Sequence, residues 1–95
     1  MTRIAVKELI WDEYNRDHIK KHRVTELEVV EAGKRIVYHK QTYKSRYLVV
    51  GRSGSRLVAF VIRRKGSNSY YVVTARDASV DERRKVYDKE KKQNP

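Results

Sequence analysis

YKSRYLVVGRSGSRLVAFVIRRKGSNSYYVVTAR, residues 43–76, decides the fold. In 43–51, Tyr43, Ser45, Tyr47 and Val49 fall on one side and Lys44, Arg46, Leu48 and Val50 on the other, the period of a half-buried strand. A turn is written at 51–55, a second strand at 56–64, a second turn at 65–68, and a third strand of β-branched and aromatic residues at 69–76. These make an antiparallel meander. Upstream, 35–39 offers one more strand. Before it, Thr25 and Glu28 form a capping box and Val24 with Val29 a hydrophobic staple, opening a helix expected to end at Gly33 as a left-handed cap. Asp12 is an N-cap for a shorter helix over 12–22, and Leu9, Ile10 and Trp11 lead into it as a first strand. Downstream, Ser79 and Glu82 form another capping box for a last helix that includes Tyr87. That helix is expected to dissolve into a charged tail, disordered from about residue 90. The order is strand, two helices, three or four antiparallel strands, helix, an α+β class.

Composition narrows the function. The chain has 95 residues, enough for one domain spanning 1–95. It has no cysteine, hence no disulfide, thiolate nucleophile or zinc thiolate. No signal-like apolar region follows Met1, and the longest apolar run, 57–62, is far too short to cross a bilayer, so a cytosolic protein is expected. Residues 34–76 carry eleven Lys or Arg and no Asp or Glu, a charge equal to the formal +11 of the whole chain. Because that block alternates like a sheet, it predicts a cationic sheet surface with a polyanionic partner. Its strand-like pattern argues against a membrane-surface helix.

Three stretches resemble a known family: WDEYNRDHIKKH at 11–22, RYLVVGR at 46–52, and YYVVTARDASVDERRKVY at 70–87. Together they are similar to the BrnT toxins. The Trp11-Asp12 corner, the Lys21-His22 pair, and Thr74-Ala75-Arg76 followed by Glu82-Arg83 are the most specific parts. The resemblance implies a RelE-like fold with a small antiparallel sheet, two N-terminal helices and one C-terminal helix. It also implies a metal-independent ribonuclease of a type II toxin–antitoxin pair, which inhibits translation. Its partners would be RNA and a ribbon-helix-helix antitoxin, with operator DNA bound only through that antitoxin. Many members carry Gly after the Lys-His pair, where this chain has Arg23.

Cleavage of RNA needs removal of the 2′-hydroxyl proton, stabilisation of the phosphorane charge and a proton for the departing 5′-oxygen. Arg76, at a strand end just before the last helix, is the candidate to hold the phosphate, with Arg83 beside it. The alternative at Arg76 is an ion pair with Asp77 or Glu82. Arg84 is a further RNA contact or a solvated helix residue. His22 is the acid or base candidate by intrinsic pKa, and a helix-capping residue otherwise. His18 and His22 stand i, i+4, but without cysteine and with only His39 besides, a metal site lacks ligands. No carboxylate cluster inside the basic block would hold Mg²⁺, and no cofactor is implied. Lys21, Arg46, Arg52, Arg63 and Arg64 are phosphate contacts. Tyr71, among the tyrosines interleaved with them, is a candidate to stack or contact RNA, core packing being the alternative. A non-catalytic nucleic-acid or antitoxin-binding module, including a degenerate toxin kept for autorepression, shares every bulk property with the nuclease.

Overall fold

The computed structural model describes residues 6–43 and 45–93. Residues 1–5, Lys44 of the expected strand over 43–51, and residues 94–95 of the expected charged tail lie outside them. Three strands form the expected meander: β3 (Arg46–Ser53), β4 (Arg56–Gly66) and β5 (Ser69–Asp77). The pairing Val49↔Phe60↔Ala75 fixes their register. Strand β2 (Ile36–Gln41) extends this sheet antiparallel to β3, with a bulge between Ile36 and Tyr38. The short β1 (Glu8–Ile10) adds to the other side, parallel to β5, giving the order β1-β5-β4-β3-β2. The sheet is therefore mixed rather than wholly antiparallel.

Helices cover both sheet faces, because strand alternation leaves two apolar sides to bury. Helices α1 (Glu13–Lys21) and α2 (Glu26–Lys34) close the first side. There Ile19, Val24 and Val29 join Val49, Val58, Phe60, Ile62 and Val72 in one cluster. Helix α3 (Val80–Gln93) lies on the second, where Ala78 and Val86 meet Leu48, Val50, Leu57 and Ala59. Two capping boxes start α1 and α2, at Asp12 with Asn15 and at Thr25 with Glu28. The buried Asn15 amide also donates to the Ile10 carbonyl at 2.9 Å and the Val72 carbonyl at 3.1 Å, locking the α1 start to β1 and β5. Gly51 permits the approach of α2, since a Cβ there would collide with the Ala32 carbonyl.

Three expectations change. Gly33 lies inside α2, not beyond it; Arg35 is the C-cap, at φ −127°. The left-handed position belongs to Arg23, at φ 58° between α1 and α2. The last helix does not fade at about residue 90 but continues to Gln93. Its final turns are fastened by Glu90, which takes both a 2.8 Å hydrogen bond from Arg52 Nε and another of 2.8 Å from Arg52 Nη2.

Candidate nucleic-acid interface

On the sheet side that carries α3, residues directly opposite one another form rows across the strands. One row reads Arg46↔Arg63↔Tyr71 across β3, β4 and β5. It continues the alternation of Leu48 and Val50 on β3 and of Val61, Ala59 and Leu57 on β4, so it lies past the apolar patch that α3 covers. Lys40, opposite Leu48 on β2, stands on this side as well. Arg46 and Arg63 are like charges in direct register, an arrangement that costs stability. Among the described residues neither makes an ion pair with a carboxylate. The Arg63 guanidinium sits over the Tyr71 ring at 5.8 Å from its centre, a cation–π contact. Its Nε is buried and has no hydrogen-bond partner among the described residues. Such an unmet donor costs about 1–3 kcal/mol.

Asp12 ends the row. The Tyr71 hydroxyl donates to its carboxylate, with Oη 3.2 Å from Oδ1 and 3.0 Å from Oδ2. Hydrogen bonding from the Asn15 backbone N–H, then from Tyr71, holds the Asp12 carboxyl below the ordinary carboxylate range. Desolvation, then the Asp12 carboxylate, pushes the Tyr71 phenol up. Sequence reasoning took Asp12 only as a cap. The Trp11-Asp12 corner was visible, but nothing local shows that a residue of β5 meets it.

The remaining candidates disperse. Arg76 shares the α3 side, opposite Ala59, but is bound by both guanidinium nitrogens to Glu82, Nη1–Oε1 2.7 Å and Nη2–Oε2 2.9 Å. The ion pair weighed as its alternative is therefore present, and it holds the Glu82 carboxyl down at about 2. Arg83 donates from Nε to the Ala78 carbonyl at 3.1 Å, and with Val80, Arg84, Tyr87 and Asp88 lines a shallow depression on α3. Arg52 is committed to Glu90. Arg64 stands opposite Tyr70, whose ring is in the α1/α2 core, and so faces away from Arg63. Lys21 and His22 end α1, the helix that packs on that opposite side. The His22 ring lies 5.5 Å from that of His18. Among the described residues no three carboxylate or imidazole groups converge as a metal site requires.

The single cationic face expected from the block is thus corrected. Carboxylates from outside the block neutralise its strand-end arginines: Glu90 on Arg52, Glu28 and Asp77 on Arg56, and Glu82 on Arg76. On the α3 side, Arg46 and Arg63 beside Tyr71, together with Lys40, have no carboxylate partner among the described residues.

In class, this is a small basic α+β protein whose mixed sheet is covered by helices on both sides, with Arg46 and Arg63 side by side on the α3 face. No protein-family model matches the chain, and neither does any curated protein. Among solved structures it is similar to the 1.1 Å crystal structure of the Brucella abortus ribonuclease toxin BrnT. The TM-score is 0.63 at 27% sequence identity, over 76% of this chain and 96% of that one. The fold is BrnT-like, as the resemblance implied. No helix among the described residues is long and apolar enough to cross a membrane.

Proposed function

We propose that this chain is a ribonuclease toxin of a toxin–antitoxin pair, with the Arg46–Arg63–Tyr71 row as its RNA-binding surface. The observation that carries the reading is the pair of facing guanidinium groups without carboxylate partners, one with a buried unmet donor, on a fold similar to that of a known ribonuclease toxin. Two adjacent guanidinium groups fit a phosphodiester and its crowded transition state, where charge builds on the phosphoryl oxygens. Cleavage then runs without a metal: the 2′-oxygen loses its proton and bonds to phosphorus, the P–O5′ bond breaks, the departing 5′-oxygen takes up a proton, and loss of messenger halts translation. Tyr71, whose ring lies under the Arg63 guanidinium, is a proton-bearing side chain beside the pair, whereas His22 belongs to the α1 side. Arg76 and Arg83 border the same surface from the α3 end, Arg76 as a support for α3 through Glu82. A cognate ribbon-helix-helix antitoxin covers the cationic row in the cytoplasm, and operator DNA is reached only through it.

The separation of His22 from Arg76, together with the closed Arg76–Glu82 pair, favours a second reading: a binding module without catalysis, retained for autorepression. Inducible expression of the chain alone, with RNA integrity followed over time, decides between them. The nuclease reading expects growth arrest and RNA fragmentation, both abolished in the Arg46→Ala/Arg63→Ala double variant. Intact RNA and normal growth at high expression of the unaltered chain overturn it in favour of the binder.

A further inference from the structure

The protonation of the Tyr71–Asp12 pair fixes what the tyrosine oxygen can offer to a ligand. An ionised carboxylate only accepts hydrogen bonds, so the 3.0 Å contact to Oδ2 must use the one proton the phenol has. The oxygen's remaining lone pairs then face outward as acceptors. Beside them stand two guanidinium groups in register, Arg63 over the Tyr71 ring and Arg46 opposite Arg63. An acceptor next to a phosphate clamp selects a ligand with a hydroxyl donor next to its phosphate. Ribose has such a donor at the 2′ position and deoxyribose does not.

We infer that Tyr71, oriented by Asp12, is the residue by which this surface distinguishes RNA from DNA: its oxygen accepts from the ribose 2′-hydroxyl while Arg46 and Arg63 hold the adjoining phosphate. Tyr71 is the contact residue and Asp12 the positioning residue. This rests on RNA being the ligand of the row, but not on cleavage. The tyrosine's position is fixed from several sides. Asp12 is held by the Asn15 backbone N–H, which donates to Oδ1 at 2.9 Å, while its own backbone N–H donates to the Asn15 side chain at 2.8 Å.

Asp12→Asn separates the two jobs of that residue. Asn is as good an N-cap as Asp, so α1 keeps its start. Its amide nitrogen would however donate to the Tyr71 oxygen, turn the phenol proton outward and make the tyrosine a donor. Tyr71→Phe keeps the ring under Arg63 and removes the oxygen. The probes are a fluorescein-labelled eight-nucleotide single-stranded RNA and the DNA of the same sequence, titrated with the purified full chain. Where the RNA is cut, KM from initial rates replaces Kd and the DNA is scored as a competitive inhibitor. Removing an anionic side chain strengthens binding to both polyanions, so the ratio of RNA to DNA affinity is the quantity to read.

The unaltered chain is expected to favour RNA by roughly three- to tenfold, the worth of one hydrogen bond. Both variants should bring that ratio to about one while circular dichroism and thermal midpoint show α1 intact. A wild-type ratio of one, or a ratio unchanged in both Tyr71→Phe and Asp12→Asn, overturns the inference. Cleavage is read from the same tubes: absence of RNA products from the unaltered chain defeats the nuclease reading while leaving the ratio to judge the tyrosine.

Discussion

Arg76 and Glu82 face each other with both oxygens of the carboxylate engaged, at 2.7 and 2.9 Å, so the end of β5 is tied to the first turn of α3. The same carboxylate accepts from the Ser79 backbone N–H at 2.8 Å, and the Ser79 hydroxyl accepts from the Glu82 N–H at 3.2 Å, completing the capping box. The Arg76 side chain keeps 41% of its surface in solvent against 11% for Glu82, which moderates the energy of the pair.

Glu82→Gln keeps the box geometry and loses the ion pair. A carboxyl held at about 2 against an ordinary 4.5 contributes stability that is complete above pH 4.5 and is lost as pH falls toward 2. After allowance for screening, the wild type should exceed the variant by about 1–2 kcal/mol at pH 7, and the gap should shrink below pH 4.5 and vanish only as pH falls through about 2. Urea denaturation at a series of pH values measures both. A gap independent of pH would assign the contribution to packing.

Arg23 adopts φ 58°, a backbone region where a side chain crowds the following carbonyl. Gly, which has no side chain to crowd, suits this conformation better than Arg. Arg23→Gly should raise stability by about 1 kcal/mol, because the Arg23 carbonyl that accepts from Arg56 at 3.0 Å is retained. A lowered melting temperature would show that the side chain makes a compensating contact.

Two glycines should respond to alanine with opposite signs. At Gly51 a methyl group runs into backbone, the Ala32 carbonyl, which no rotamer change relieves. Gly51→Ala should cost about 3 kcal/mol or more. Gly33, in a helix interior, has its nearest side-chain atoms at 3.8 and 3.9 Å, ordinary contact distances. Gly33→Ala should stabilise by about 0.5–1 kcal/mol through helix propensity. Chemical denaturation of the two proteins tests the pair together.

Arg46 and Arg63 should each carry one phosphate. Replacing either with Ala should flatten the slope of log affinity for single-stranded RNA against log salt by about 1. Arg64→Ala, on the other side of the sheet, should change that slope measurably less. Arg46→Ala should also leave the fold more stable by about 0.2–1 kcal/mol, since it ends a like-charge pair in direct register. Fluorescence anisotropy across salt concentrations provides the first measurement and thermal denaturation the second.

The meander, the capping boxes at Thr25 and Ser79 and the N-cap at Asp12 were legible because each is written in a few neighbouring residues. The end of α2 misled, since Gly33 is a good cap by type, yet the helix runs on to Lys34 and Arg35 caps it. The candidate site was half legible. Alternation put Arg46 with Leu48 and Val50, but which arginines stay open depends on carboxylates contributed by α2, α3 and the end of β5. Those encounters are tertiary and leave no local trace. The contact of Asp12 with Tyr71, across 59 positions, is the extreme case.

That contact also sets when the molecule becomes competent. A ribosome delivers Asp12 59 positions ahead of Tyr71, and a loop that long is slow to shut. Until β5 is released, β1 has no strand to lie beside. A nascent polypeptide lacking β5 therefore has neither the strand that holds β1 nor Tyr71, and the row is assembled only once β5 has emerged.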